Sequence, residues 1–200
     1  YMRIESYNLY TGRGWNRGRY FMNQMTPLRQ GIFAPQRSVE APESRQVKAT
    51  VNLSSGWHRY LYLPGTPLQV EAPVRELQYA WQINAVSSYR PLGAGEQYTV
   101  WAYVPTDDPR ILRVAPPVQP RLPFVAPQSK RLQDLAIALT ANQPTQYDKV
   151  MALVRYIEQN TAYNLNVEAY PQEEDAVEYF LFEAKQGYCV EFATALAVLC

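Results

Sequence analysis

Histidine occurs once in this sequence, at His58, and cysteine only twice, at Cys189 and Cys200. Such a set offers no CxxC or HxxxH spacing, so no metal site is expected. If Cys189–Cys200 forms one helix, the two thiols lie roughly 16 Å apart along its axis. A disulfide needs Cα atoms within about 7 Å, so the pair cannot bridge. Charge of one sign is also lacking: 19 Lys+Arg against 18 Asp+Glu leave a net +1, which gives no electrostatic case for nucleic acid or an anionic membrane as partner. No apolar run approaches the roughly eighteen residues of a membrane span. Gly93-Ala94-Gly95 lacks both the Lys-Ser/Thr ending and the following helix of a phosphate loop, so no nucleotide cofactor, and no cofactor at all, is expected. Tyr1-Met2-Arg3-Ile4-Glu5 lacks the basic-then-apolar pattern of a signal peptide. A chain that starts at Tyr1 and stops inside a helical pattern at Cys200 is expected to be part of a longer protein.

What is present divides by period. Residues 1–115 read as a β domain, rich in the 16 tyrosines and four tryptophans of the chain. Val47, Ala49, Val51 and Leu53 alternate with Gln46, Lys48, Thr50 and Asn52, and His58–Leu63 alternates too. Leu77–Val86 and Gln97–Val104 read as further strands, with Gly93-Ala94-Gly95 as a turn. Short strands with turn signals between them predict an antiparallel sandwich or barrel. Pro116, Pro117, Pro120, Pro123 and Pro127 then predict an extended linker over 116–127.

From residue 128 the period becomes helical. Leu132, Leu135, Ala136 and Leu139 form a stripe behind Ser129 as N-cap. Thr145 and Asp148 open a second helix carrying Val150, Met151, Val154 and Ile157 to about Asn160. Thr161–Val167 reads as extended. Glu173-Glu174-Asp175 reads as the solvated entry of a short helix with Val177, Phe180 and Leu181. The fold class is therefore α+β: an antiparallel β domain followed by a helical region.

The last fifteen residues carry the chemistry. After Gln186-Gly187-Tyr188, Cys189 opens a run in which Phe192, Ala193, Leu196, Ala197 and Cys200 recur with it at helical spacing, predicting one buried face. A thiol in a first helical turn sees unpaired N–H groups and the positive end of the helix dipole, both of which favour thiolate. Cys189 is thus a candidate nucleophile, against the alternative of a core thiol. Cys200 is expected to fill the core. Tyr188 either walls a substrate channel or packs on the helix start. His58, in a predicted strand, reads as a solvated strand residue rather than as the general base that a cysteine nucleophile needs.

Gly187-Tyr188-Cys189 followed by Phe192-Ala193-Thr194-Ala195-Leu196 resembles the central helix of the transglutaminase-like superfamily, most of all bacterial membrane-anchored proteins with an extracytoplasmic core of that kind. The likeness continues in Tyr147-Asp148-Lys149, Tyr163-Asn164-Leu165 and Tyr179-Phe180-Leu181-Phe182, and more faintly in Tyr10-Thr11-Gly12-Arg13-Gly14-Trp15. The resemblance implies that 128–200 is the helical part of a papain-like catalytic core, truncated after the cysteine helix. It implies acyl transfer or hydrolysis at a carboxamide or peptide carbonyl through a thioester on Cys189, with a protein or peptide as substrate. The catalytic His and Asp would lie beyond residue 200, which leaves this stretch inactive alone, its cysteine helix partly uncovered at Phe192, Leu196, Val198 and Leu199. It also implies an extracytoplasmic location, with the membrane reached only through other segments. Alternatives are a non-catalytic binding module built on the aromatic β domain, or a cysteine protease or amidase on the same fold.

Overall fold

The computed structural model describes residues 1–36, 45–116 and 129–200. Its strands begin with β1 (Leu9–Tyr10), β2 (Trp15–Asn16), β3 (Asn23–Gln24), β4 (Thr26–Arg29), β5 (Ile32–Ala34) and β6 (Gln46–Asn52). β7 (Trp57–Tyr60), β8 (Thr66–Glu71), β9 (Gln78–Ala80), β10 (Ala85–Gly93) and β11 (Gln97–Tyr103) follow. Then come α1 (Pro109–Val114), α2 (Lys130–Thr140), α3 (Gln146–Asn160), β12 (Ala162–Tyr163), α4 (Ala176–Tyr179), β13 (Gln186–Gly187) and α5 (Cys189–Leu199). They form two compact units: Tyr1–Asn8 with Arg17–Thr106, and Leu9–Asn16 with Asp107–Cys200.

The first unit is antiparallel β. Five strands lie in the order β4-β5-β8-β11-β6 and four in the order β3-β9-β10-β7. Phe33, Val70 and Val100 from one sheet and Leu77, Val86 and Leu92 from beside or within the other meet in a single buried cluster, which makes the unit a sandwich. Tyr98 enters this core fully buried, and its hydroxyl is satisfied by accepting from Tyr62 N–H at 2.6 Å. The expected continuous strand over Leu77–Val86 is instead a hairpin, β9 turning into β10. Asn84 allows the reversal at φ 46°, in the left-handed region that asparagine tolerates, with its side chain held by the Tyr79 hydroxyl at 3.0 Å.

The expected β region also ends too late at residue 115, because α1 occupies Pro109–Val114. Asp108 caps that helix by accepting from Arg110 N–H, and Pro109 fits a first turn, where no N–H is required. Apart from Pro116, the expected linker lies outside the described residues. α2 starts at its Ser129 cap and α3 at its Thr145 cap. Thr145 Oγ1 accepts from Asp148 N–H at 3.1 Å and donates to the Asp148 carboxylate at 2.7 Å. So the aspartate closes on the cap hydroxyl, where a longer glutamate would reach the backbone.

Asp175 caps α4, which tightens and then widens into a π-helical turn over Phe180–Ala184. Lys185, left-handed at φ 50°, ends it. The core of this unit gathers Leu132, Leu153, Ile157, Phe180, Ala195 and Val198, and Tyr10 from the distant hairpin β1–β2 joins it. Among the described residues no helix is long and apolar enough to cross a membrane.

Candidate active site

The approach to Cys189 is fixed from both sides. β13 pairs in parallel with β12, with Ala162 N–H donating to Lys185 O at 2.8 Å and Asn164 N–H to Gly187 O at 2.7 Å. Gly187 is buried, and a Cβ there would stand 2.8 Å from Glu191 Cβ, 2.9 Å from Glu191 Cγ and 2.9 Å from a Phe180 ring carbon. Only glycine fits between the helical turn behind it and the helix ahead.

Tyr188 is then the N-cap of α5, half-buried, and Cys189 is the first helical residue, exposed and reduced. Glu191 bends back to accept from Tyr188 N–H at 2.8 Å, half of a capping box. The N–H groups of Cys189 and Val190 have no partner within the helix, as in any first turn. An exposed sulfur with first-turn N–H donors at its base is suited to attack a carbonyl carbon and hold the resulting oxyanion.

The buried face of α5 differs from the expected one. Glu191, Thr194, Ala195, Val198 and Leu199 are buried, whereas Cys189, Ala193 and Cys200 are exposed and Phe192, Leu196 and Ala197 lie between. Val198 and Leu199, expected to face water, are therefore covered, and Cys200 is not in the core. The helix is apolar nearly all round, so its pattern does not choose a face. The two polar residues that break the pattern go inward because each has a partner: Glu191 caps Tyr188, and Thr194 Oγ1 accepts from the Trp15 indole N–H at 3.0 Å. The thiol is left on the open side as a consequence.

Hairpin β1–β2, read from sequence as part of the β domain, is the unforeseen contributor. The Tyr10 hydroxyl donates to Asp175 at 3.1 Å, Ala176 N–H donates to Gly12 O at 2.7 Å, and Arg13 donates to the Pro171 carbonyl. Burial and the Asp175 charge push the Tyr10 ionisation far up, keeping it a neutral donor. A cavity of about 130 Å³ remains between hairpin and helix, bounded by Tyr10, Arg13, Trp15, Tyr170, Glu191 and Thr194. The signal was there in the faint likeness of Tyr10–Trp15. His58 sits in the other unit on β7, with Nε2 2.8 Å from the Ser55 carbonyl.

This geometry has counterparts among known proteins. The model of the transglutaminase-like superfamily matches residues 133–200. This segment is a transglutaminase-like domain. The whole chain aligns with the protein YebA of Bacillus subtilis (strain 168) at 29% identity over 223 residues. It spans 29% of the length of that relative. Two crystal structures of the periplasmic domain of TgpA from Pseudomonas aeruginosa, one bound to ethylmercury, share the fold with TM-score 0.58 and 17% identity over the whole chain. The chain covers 64% and 63% of those two. The transglutaminase-like segment contains most of α2 and all of α3, β12, α4, β13 and α5, so Cys189, Gly187, Tyr188 and Glu191 lie inside it, whereas hairpin β1–β2 lies outside.

Proposed function

We propose that the protein carrying this chain is a cysteine enzyme that transfers or hydrolyses acyl groups at a carboxamide or peptide carbonyl. The observation that carries this reading is the exposed Cys189 thiol at the first position of a helix whose other polar residues are turned inward. The Cys189 thiolate attacks the carbonyl carbon, and the π electrons move to oxygen. The N–H of Cys189 supplies one donor to that oxyanion. Collapse expels the amine, which leaves with a proton from the general acid, and a thioester remains on Sγ. A second amine, or water, attacks the thioester, releases the acyl product and returns the thiol.

The base and its orienting acid are assigned, by likeness to the family, to strands following the cysteine helix. His58 is not assigned that role, since its ring nitrogen faces the Ser55 carbonyl. We read Tyr188, half-buried and next to Cys189 in the chain, as a wall of the substrate channel. The substrate is a protein or peptide. An extracytoplasmic site of action, in a protein anchored to the membrane through other segments, is part of the same proposal and is supported by the periplasmic origin of the TgpA domain.

The test is to incubate the intact protein and its Cys189→Ala variant with a glutamine-containing peptide and a labelled primary amine, scoring amine incorporation and glutamate release. Either product should require Cys189. Turnover that survives Cys189→Ala would sink the reading.

A further inference from the structure

We propose that Glu191 is a positioning residue that sets the Cys189 thiol by reach rather than by charge. This rests on the reading of Cys189 as the nucleophile. Glu191 is 9% exposed, in the first turn of α5, one residue beyond Val190. Its stem fills the space where Gly187 lacks a Cβ, and its Oε2 lies 2.8 Å from Tyr188 N. Gly187, Tyr188, Cys189 and Glu191 therefore interlock, and the direction in which the chain enters α5 is set by the length of one side chain.

The choice of donor matters. A serine or aspartate N-cap satisfies N–H groups inside the first turn. Glu191 instead takes the N–H of Tyr188, which precedes the thiol, and leaves those of Cys189 and Val190 for a ligand. The helix start is thus fixed without consuming the donors that an oxyanion needs.

The far side of Glu191 is walled by neutral or engaged groups. Tyr170 Oη is buried with no hydrogen bond of ordinary geometry. Burial, followed by the nearby Glu191 carboxylate, pushes its ionisation far up, so it faces that carboxylate as a neutral hydroxyl. Arg13, on the same cavity, is engaged by the Pro171 carbonyl. Tyr10, on the same cavity, donates to Asp175, and Tyr188 adds a further titratable neighbour on the helix's own cap.

Two substitutions separate reach from charge. Glu191→Gln keeps the length and an acceptor oxygen but loses the charge, whereas Glu191→Asp keeps the charge and loses a methylene. Iodoacetamide modification of the Cys189 peptide in the intact protein, followed by mass spectrometry across a pH series, gives a plateau rate for each. Melting temperature and amide exchange at Tyr188 are recorded alongside. Glu191→Gln should retain the plateau within about threefold, while Glu191→Asp should lose about tenfold or more with faster Tyr188 exchange, since small misplacements of a reacting group are costly. Rescue by glutamine and not by aspartate is what a merely stabilising residue would not give.

A plateau for Glu191→Asp equal to the parent, or a loss in Glu191→Gln as deep as in Glu191→Asp, overturns the proposal alone. If Glu191→Asp does not fold, a loss of about tenfold in folded Glu191→Gln overturns it by the same argument, and retention supports it. Failure of Cys189 in the parent to react ahead of the other thiols would remove the nucleophile reading, and this inference with it.

Discussion

The Trp15 indole N–H donates to Thr194 Oγ1 at 3.0 Å across 179 residues of chain. Thr194 is 9% exposed in the second turn of α5, so the hydroxyl that meets the indole is part of the helix that presents Cys189. The hairpin carrying Trp15 belongs with the helical unit in space although the β unit surrounds it in sequence.

Replacing Trp15 with phenylalanine keeps an aromatic ring and removes this donor, leaving the threonine oxygen buried and short of a partner. The expected cost is about 1–2 kcal/mol, close to that of an unpaired buried hydroxyl. Thr194→Val removes the polar group instead and should cost less. In the double variant the two effects should fall short of additive, and urea unfolding of the four proteins measures the coupling. Strict additivity would mean that the hydrogen bond contributes nothing.

Gly187→Ala tests the close approach directly. The new Cβ would meet two Glu191 carbons and a Phe180 ring carbon at 2.8–2.9 Å, and all three are packed. Overpacking of this kind costs about 1–3 kcal/mol. Thermal unfolding should show the loss, and Cys189 should alkylate more slowly in the folded variant. An unchanged melting temperature would mean that the Glu191 stem moves aside freely.

Local features were the legible ones. Ser129 and Thr145 announce their helices because a cap needs only neighbours a few residues away, and Gly187-Tyr188-Cys189 marks a helix start for the same reason. The strand β6 was legible in the alternation of Val47, Ala49, Val51 and Leu53, whereas its pairing with β11 shows only in the fold. Three features were not legible. The buried face of α5 is selected by partners of Glu191 and Thr194 that lie elsewhere in the chain. The membership of Leu9–Asn16 in the second unit depends on contacts more than 150 residues distant, such as Tyr10 with Asp175, 165 residues apart. The break at Asn84 is masked by an apolar, aromatic run that reads as one strand, and only the positive φ reveals it.

The turn between β10 and β11 should loosen in acid. Arg90 donates to both Glu96 oxygens, at 2.7 and 3.0 Å, and Gly93 N–H donates to Oε2 at 2.7 Å. The Arg90 guanidinium, followed by the Gly93 N–H, holds the Glu96 carboxyl below the usual glutamate range. A carboxyl whose folded value is depressed contributes stability that is present above the ordinary value, about 4.3, and is lost as pH falls through the lower folded value. Amide exchange at Gly93 should therefore accelerate, relative to core amides, only below about pH 4. In Glu96→Gln that acid-dependent step should vanish. A Gly93 amide whose protection is flat through this range would remove the carboxylate from the turn.

The two cysteines should differ in reactivity although both residues are exposed. Cys189 stands exposed at the N-terminal end of α5, with the first-turn N–H groups, which have no partner within the helix, at its base. Cys200 caps the opposite end, where the carbonyls of the last turn disfavour negative charge on sulfur, and burial around its side chain pushes the thiol up. Near neutral pH the thiolate is the reacting species, so Cys189 should label about tenfold faster or more with iodoacetamide in the intact protein. Peptide mapping at short reaction times reads the ratio. Cys200→Ser should leave the Cys189 rate unaltered, which checks that the two thiols act independently. Equal labelling, or faster labelling of Cys200, would mean that the helix start confers no activation and that exposure alone sets the rate.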